Sequence, residues 1–252
     1  MKPAPISLQL YSVRELAAQD AVRTITQVAE IGYVGVEGGD LYGMTAAEFR
    51  AFLDELGLVA SSTHGPLPTK DNLEQIVDTA QTLGYTYHIS GWGPPEFATV
   101  ESTLEHAALA QKAAALLKPY GIQFGIHNHW WEFDHQFDGK YAHEVFMAAA
   151  PDVFAELDTY WAQTGGANAA VEVGKLGARA PLLHIKDGPA VKDKAMTAVG
   201  QGVLDWPAVI GAASDDLAWL VVELDSCDTD MMQAVADSYA YLVGAGLATG
   251  RK

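Results

Sequence analysis

Eight short runs of strand-forming residues alternate with helical segments along the whole sequence. In each helical segment, apolar residues recur every three or four positions, whereas the runs between them are rich in β-branched, aromatic and aliphatic residues. The predicted strands are Ile6–Tyr11, Tyr33–Glu37, Val59–His64, Tyr85–Ser90, Ile122–His127, Val153–Asp158, Leu182–Lys186 and Leu220–Asp225. The predicted helices are Ala21–Ile31, Ala46–Leu56, Leu73–Leu83, Thr103–Leu117 and Met231–Val243, with weaker signals at Asn168–Ala178 and Pro207–Ala213.

Glycines separate the predicted helices from the strands that follow them. Gly32, Gly57, Gly84 and Gly121 each come just after a helix and before a strand, where a left-handed residue commonly ends a helix. Eight strand–helix repeats close most simply into a (β/α)8 barrel, an α/β fold with a parallel sheet. No linker or change of composition divides the chain, so we predict one domain over residues 1–252.

The charge balance excludes several kinds of partner. There are 32 acidic and 15 basic residues, and the net charge of −17 repels nucleic acids and anionic membranes. No apolar run approaches the roughly 20 residues that span a bilayer, and residues Met1–Ile6 lack the apolar core of a signal peptide. The sequence has one cysteine, which excludes an intramolecular disulfide and a Cys-rich metal site. We expect a cytoplasmic protein that binds a small molecule, as a monomer or a homo-oligomer.

Polar residues gather where the predicted strands end. In a (β/α)8 barrel the active site lies at the C-terminal ends of the strands. The polar or aromatic residues at or just beyond these ends are Gln9, Tyr11, Glu37, His64, Trp92, His127, His129, Asp158, His184, Lys186, Glu223 and Asp225. Such a ring is not needed for folding, because strand ends can be apolar or simply solvated. It predicts an active site.

Three of these residues form a candidate metal site. Side chains alternate along a strand, so Asp158, His184 and Glu223 are predicted to point into the barrel mouth from consecutive strands. A single polar strand end is most often just a hydrogen-bonded residue, but three convergent ligands favour a metal. Carboxylates with an imidazole suit Mn²⁺, Co²⁺, Mg²⁺ or Zn²⁺.

The fourth ligand is open between two residues of the segment Gly125–Phe133. His127 ends the fifth strand and has the position, whereas Glu132 has the chemistry but must turn back from the loop to reach the metal. We prefer Glu132 as the ligand, with His127 beside it as a ligand or substrate contact. Glu132 would also act as a catalytic acid or base.

Further roles are assigned by position around the mouth. Glu223 is predicted to act as a catalytic base. Lys186 is predicted either to polarise a substrate oxygen or to pair with a neighbouring acid such as Glu156. The predicted substrate-binding residues are Gln9, His64, Trp92, His127 and His129, with the Trp92 ring stacking on a sugar face. Core packing is an equally good explanation for Trp92.

Six segments carry a family resemblance over nearly the full length. They are Leu8–Arg14, Ile126–Phe133, Glu156–Trp161, Leu183–Asp187, Val199–Trp206 and Val221–Asp225. In this order they resemble the xylose isomerase-like TIM-barrel superfamily, in the group of sugar (phosphate) isomerases and epimerases. The resemblance implies a divalent metal held by a carboxylate after the fifth strand together with Asp158, His184 and Glu223. It also implies isomerisation or epimerisation of a sugar or polyol-derived ketone through an enediolate.

One departure from that resemblance keeps other functions open. Many ketose epimerases of the superfamily have a metal-binding glutamate where this sequence has His127. A dehydratase or lyase acting on an inositol-type ketone or keto-glycoside is therefore an alternative, as is a sugar-binding barrel without catalysis. DNA repair, known for the same barrel in endonuclease IV, is disfavoured because the negative charge has the wrong sign for a DNA-binding groove.

Overall fold

Eight parallel strands close into a barrel in the computed structural model, which describes residues 2–251. The barrel strands are β1 (Ala4–Gln9), β2 (Gly35–Glu37), β3 (Val59–His64), β4 (Tyr87–Ser90), β5 (Gln123–His127), β6 (Phe154–Asp158), β7 (Leu182–Ile185) and β8 (Trp219–Val222). Each strand pairs with the next along the chain, and β8 pairs with β1 through Ile6 and Leu220. The predicted (β/α)8 barrel is confirmed.

Helices surround this barrel. They are α1 (Arg14–Ile31), α2 (Ala46–Leu56), α3 (Leu73–Leu83), α4 (Val100–Leu117), α5 (Ala142–Ala149), α6 (Thr159–Thr164), α7 (Ala169–Leu176), α8 (Trp206–Gly211) and α9 (Met231–Gly244). Short 3-10 turns occupy Leu10–Val13, Pro94–Phe97, Lys118–Tyr120 and Gly177–Arg179. A two-strand hairpin joins Gln136–Phe137 to Lys140–Tyr141, and Ala248–Thr249 adds a short strand beside β1. Between residues 2 and 251, each helix is too short or too polar to cross a membrane.

Helices α5 and α6 were not predicted from the sequence, and some of the predicted strand ends differ from those in the structure. α6 begins directly after β6, with no connecting loop, because the Asp158 carboxylate accepts a hydrogen bond from the Trp161 N–H at 2.8 Å and caps the helix. Strand β7 ends at Ile185 and β8 at Val222, so Lys186 and Glu223 follow their strands rather than end them.

A small apolar cluster, called the plug, fills the barrel interior near the N-terminal ends of the strands. Ile89, Phe154 and Leu182 form a small cluster of their own there, apart from the larger apolar layer between strands and helices. Gly125 makes room for the plug, because a Cβ at this position would lie 2.3 Å from the Phe154 ring. The polar side chains of the predicted site lie above these residues, at the C-terminal ends of the strands.

The long connection from β7 to α8 is folded around one buried carboxylate. Asp187 accepts hydrogen bonds from the N–H groups of Gly188 and Gly200 at 2.9 Å and from the Trp206 indole at 2.8 Å. A Cβ on Gly202 would lie 2.0 Å from Asp187 Oδ1, so only glycine fits against the carboxylate. The connection is held at its centre rather than left as an open loop.

Candidate metal centre and active site

A cavity of about 530 Å³ opens at the C-terminal ends of the strands and is called the mouth. Six residues predicted for the site line it: Gln9, His64, His127, His129, Lys186 and Glu223. Asp158 and His184 are fully buried. Most of the side chains predicted for the site therefore line the mouth or are buried close to it.

Four of these side chains form the outer cluster, defined as His127, Asp158, His184 and Glu223. One donor atom from each lies within 4.8 Å of the others. His127 Nε2 is 3.2 Å from Asp158 Oδ2, and His184 Nδ1 is 3.1 Å from Glu223 Oε2. Two imidazoles and two carboxylates on buried, rigid strand ends fit a first-row divalent ion such as Zn²⁺. The structure therefore brings together the three predicted ligands and adds His127.

Glu132 lies outside this cluster. Its Oε2 accepts a hydrogen bond from the His129 N–H at 2.9 Å, so the carboxylate turns back onto its own loop. The side chain is fully buried, and Oε1 has no hydrogen-bond partner. Burial raises the pKa of Glu132 well above its usual value, which disfavours the charged form. Of the two candidates for the fourth ligand, the geometry favours His127 over the preferred Glu132.

A second group, the inner cluster, shares His184 with the first and consists of Glu37, His64, Glu156 and His184. His64 Nε2 lies 2.5 Å from Glu156 Oε2, and His184 Nε2 lies 2.8 Å from Glu37 Oε1. Burial by itself would lower the pKa of His64, but Glu37 and Glu156 raise it to about 10. His64 is therefore paired with carboxylates instead of being free for substrate alone.

Lys186 lies among three carboxylates at the floor of the mouth. Its Nζ is 2.5 Å from Glu223 Oε2, 3.1 Å from Asp158 Oδ2 and 2.8 Å from Asp225 Oδ2. Burial would lower the pKa of Lys186, but these carboxylates raise it well above its usual value. Lys186 does pair with neighbouring acids, although not with the predicted Glu156. It stays charged and contacts oxygens that a metal would also use.

His129 offers a neutral imidazole at the mouth. It stacks on Trp131 with ring centroids 4.2 Å apart, and its Nδ1 is buried without a partner. Burial and the nearby Lys186 lower the pKa of His129 to about 4, so the ring is uncharged at neutral pH. Because Nδ1 is buried, the other ring nitrogen, Nε2, is the atom that can contact a substrate hydroxyl in the mouth.

Two predicted substrate contacts have different surroundings. Trp92 packs against Phe146 with centroids 5.6 Å apart and does not line the mouth, so the packing explanation agrees with its position. Gln9 does line the mouth, but its amide donates a 2.7 Å hydrogen bond to Glu37 Oε1. Gln9 therefore also holds the inner cluster in place.

Three polar or aromatic residues that line the mouth were not predicted for the site: Arg14, Asp40 and Tyr42. Arg14 lies at the start of α1, with its guanidinium 4.0 Å from the Tyr11 ring centroid and a 3.0 Å hydrogen bond to the Asp225 carbonyl oxygen. Asp40 and Tyr42 lie in the loop after β2. These residues are beyond the strands, where alternation along a strand gives no signal; only their closeness to a strand end could have indicated them.

Comparison with known proteins identifies the family. The family model described as xylose isomerase-like TIM barrel matches residues 25–242, which is most of the sequence. The chain belongs to this family. None of the curated proteins matches the sequence of this xylose isomerase-like barrel.

Solved structures share the fold of this xylose isomerase-like barrel. A sugar phosphate isomerase/epimerase from Parabacteroides distasonis is similar over 99% of this chain and 96% of that one, with 24% identity and a TM-score of 0.79. The probable 3-DHS dehydratase AsbF from Bacillus anthracis covers 95% and 98% of the two chains, with 14% identity and a TM-score of 0.75. The zinc-binding IolI protein covers 96% and 98%, with 12% identity and a TM-score of 0.71.

Proposed function

We propose that this xylose isomerase-like barrel is a divalent-metal-dependent isomerase or epimerase acting on a sugar or polyol-derived ketone. The observation that carries this proposal is the outer cluster, a buried set of two imidazoles and two carboxylates at the floor of an open mouth. Structural neighbours named as isomerases and epimerases, and one with bound zinc, support it.

The outer cluster would hold the metal through His127, Asp158, His184 and Glu223. A divalent ion there supplies Lewis-acid stabilisation of the negative charge that develops on substrate oxygens during enolisation. The residues themselves form a rigid frame, because Asp158 is fixed by the α6 cap and His184 by Glu37. This frame would orient a carbonyl and an adjacent hydroxyl above Lys186.

Proton transfer is assigned to Glu223 and Lys186. Although burial would raise the pKa of Glu223, Lys186 and His184 lower it well below its usual value, so this carboxylate is ionised, as a proton acceptor must be. Lys186, with its Nζ 2.5 Å from Glu223 Oε2, can donate a hydrogen bond to a substrate oxygen. His129 and His64 border the same space and would orient hydroxyls. Because Glu132 does not line the mouth, we assign the acid–base role predicted for it to Lys186 instead.

Glu223→Gln tests this assignment. Metal-loaded wild-type protein should exchange a carbon-bound hydrogen of a ketose with solvent deuterium, and the variant should do so about 10²–10⁴ times more slowly, since it lacks the base. NMR of the recovered sugar, from a panel of unphosphorylated ketoses and a 3-keto-glucoside, gives the exchange rate; metal content is measured in parallel. Glu105→Gln on exposed α4 is the surface control. Undiminished exchange with metal still bound would contradict the role of Glu223.

Elimination of a β-hydroxyl is the second candidate function, and the position of Glu132 favours it. Epimerisation with two bases needs a second proton-transfer group on the opposite face of the substrate, and Glu132 lies outside the mouth. An acid, Lys186, lies directly beside the base Glu223 and could assist departure of a hydroxyl. An unsaturated ketone absorbing in the ultraviolet would identify the lyase, whereas deuterium incorporation with an intact carbon skeleton would identify the isomerase or epimerase. Stoichiometric metal without either reaction would support the non-catalytic sugar-binding alternative.

A further inference from the structure

Arg14 places an arginine side chain on the wall of the mouth. It is half-buried at the start of α1, directly after the turn that follows β1. Its guanidinium donates hydrogen bonds to the Tyr11 carbonyl at 2.7 Å and to the Asp225 carbonyl at 3.0 Å. It also lies over the Tyr11 ring, 4.0 Å from the ring centroid, so one of its faces is covered. The position and plane of the guanidinium are therefore set before any ligand binds.

These contacts orient the charge of Arg14 without neutralising it. Between residues 2 and 251, no carboxylate oxygen lies within 4.0 Å of a guanidinium nitrogen of Arg14. A guanidinium has five N–H donors, and the two carbonyl oxygens leave three of them without an acceptor in the protein. Arg14 therefore keeps its positive charge and several donors for a ligand in the mouth.

The other strongly basic side chain of the mouth is already paired. Lys186 and Arg14 are the lysine and the arginine that line this cavity. The Lys186 ammonium lies among three carboxylates, and the imidazole of His64 lies against two. Arg14 is thus the lysine or arginine side chain of the mouth whose charge is left for a ligand.

The acidic side chains of the mouth limit the kind of anion that fits beside Arg14. Asp225 Oδ2 lies 2.8 Å from Lys186 Nζ, and Asp40 Oδ1 accepts a hydrogen bond from the Tyr42 N–H at 2.7 Å. One unpaired arginine near these carboxylates suits a group with a single negative charge better than a phosphate ester, which carries close to two. A carboxylate also matches the planar fork of a guanidinium. The complementary group is therefore a carboxylate.

We propose that Arg14 binds a carboxylate of the substrate, which makes the substrate class a sugar acid rather than a neutral sugar. This inference rests on the proposed function, because the ketone of the same molecule would lie at the outer cluster. Asp225 connects the two positions: its carbonyl accepts from Arg14, and its carboxylate accepts from Lys186 at the floor. The carboxylate and the ketone would occupy one open space, since Arg14, Lys186 and Glu223 line the same cavity.

Glucose, glucuronate and glucose 6-phosphate test this proposal without reference to catalysis, because they differ only at carbon 6. Glucuronate should bind the metal-loaded protein about 10–100 times more tightly than glucose, the usual effect of hydrogen bonds to a charged group. Calorimetry gives the three affinities. Glucuronate that binds no more tightly than glucose, or less tightly than glucose 6-phosphate, would overturn the proposal.

Two variants of Arg14 and one matched control locate the preference. Arg14→Gln should abolish it, whereas Arg14→Lys should retain part of it, because an ammonium keeps the charge but lacks the planar fork. Arg23→Gln is the control: Arg23 lies exposed on the same helix, does not line the mouth, and loses the same charge when replaced. It should prefer glucuronate as wild type does. A preference that survives Arg14→Gln would overturn the proposal.

A crystal of the metal-loaded wild-type protein soaked in glucuronate tests the contact without any substitution. The carboxylate oxygens should lie about 2.7–2.9 Å from the Arg14 guanidinium nitrogens, the usual distance for a charged pair. A carboxylate bound instead to the metal or to Lys186 would contradict the role of Arg14.

Failure of this proposal and failure of the proposed function give different results. If glucuronate shows no preference but Glu223-dependent deuterium exchange occurs on neutral ketoses, the proposed function stands and the role of Arg14 fails. If the preference depends on Arg14 and neither sugars nor sugar acids show exchange, the reverse holds. With both intact, fructuronate should exchange with a kcat/KM at least 10 times that of fructose, and Arg14→Gln should remove this advantage through KM. An advantage that survives Arg14→Gln would contradict the link between the two positions.

Discussion

His184 presents its two ring nitrogens to different carboxylates. Nδ1 is 3.1 Å from Glu223 Oε2 in the outer cluster, and Nε2 is 2.8 Å from Glu37 Oε1 in the inner cluster. Nδ1 can bind a metal only if the ring proton is on Nε2, where Glu37 accepts it. Glu37 is itself held by hydrogen bonds from the side chains of Gln9 and Ser62. Glu37 therefore orients a candidate ligand without touching the metal position.

Glu37→Gln should weaken metal binding by about 10–100-fold, because the amide no longer fixes the His184 proton and ring orientation as firmly. Competition with a fluorescent chelator measures the dissociation constant directly and does not depend on turnover. Glu105→Gln provides the surface control. A Glu37→Gln variant that keeps wild-type metal affinity would show that His184 is oriented by its packing alone.

His143 gives the protein a defined acid sensitivity. Burial, followed by the nearby Arg179, lowers the pKa of His143 to about 3, whereas an unfolded histidine titrates near 6.5. Between these values the unfolded state binds more protons than the folded state, so stability is complete above about pH 6.5 and falls as the pH drops towards 3. The maximum slope from this one group is about 1.4 kcal/mol per pH unit.

His143→Phe should remove that slope. Its ring can keep the stacking on Phe133, whose centroid is 4.9 Å from that of His143. Urea unfolding at pH 6.5 and pH 4.5 should show wild type losing about 2.3 kcal/mol more than the variant. Parallel losses in the two proteins would mean that other groups govern the acid limb.

The conformation of the whole connection between β7 and α8 depends on Asp187. Its carboxylate accepts from backbone N–H groups at both ends of the connection and from the Trp206 indole. Asp187→Asn replaces an acceptor oxygen by a donor that faces other donors, so it should cost about 2–4 kcal/mol. It should also speed hydrogen exchange across residues 188–204.

Asp205→Asn is the matched control for that experiment. Asp205 caps α8 through a single 3.1 Å hydrogen bond from the Ala208 N–H, and asparagine is an equally good cap. Its stability should stay within about 0.5 kcal/mol of wild type. If both variants behave alike, Asp187 does not organise the connection.

Helices and strands with a clear periodic spacing of apolar residues could be predicted from the sequence. Contacts in which a loop side chain folds back onto its own backbone could not. All eight barrel strands and the helices α2 and α3 follow directly from apolar spacing and closing glycines. Helix α5 is short, and α6 starts without a loop, so neither gives a full period. Glu132 was preferred as the fourth ligand, but its carboxylate accepts a hydrogen bond from the His129 N–H. This contact could not be predicted, because the alternation of side chains along a strand says nothing about the backbone conformation of the loop that follows.

The C-terminal residues connect three parts of the whole molecule. Ala248 pairs with Ala4 beside β1, the Arg251 N–H donates to the Gly32 carbonyl at 2.8 Å, and the Arg251 guanidinium contacts the Leu56 and Gly57 carbonyl oxygens after α2. These contacts lie at the N-terminal ends of the strands, on the face opposite the mouth. By the usual division of labour in such barrels, they belong to stability and not to chemistry.

Deletion of residues 248–252 should therefore lower stability and leave the site unchanged. A loss of about 2 kcal/mol corresponds to roughly 4–8 °C in Tm for a chain of this size. Calorimetry measures the shift, and chelator competition should return the metal affinity of the full chain. A changed affinity with an unchanged Tm would contradict the separation of the two faces.

The excess of acidic residues is partly located inside the molecule. The sequence allowed either a solvated acidic surface or carboxylates gathered around a cation. Glu37, Glu132, Glu156 and Asp158 are each fully buried, and Glu223 is nearly so. Composition could not show this, because burial depends on which strand ends meet across the barrel.

One imidazole joins opposite walls of this barrel. His184 takes part both in the hydrogen bonds to side chains of β1–β3 and in the set of candidate metal ligands on β5–β8. A change in the free energy of the hydrogen bonds therefore changes the free energy of metal binding. Reciprocity then requires that a cation bound beside β8 strengthens the bonds around β2 by as much as those bonds strengthen its binding. If the outer cluster holds the proposed metal, substitutions in a wall of the barrel that the metal does not contact will therefore change its affinity.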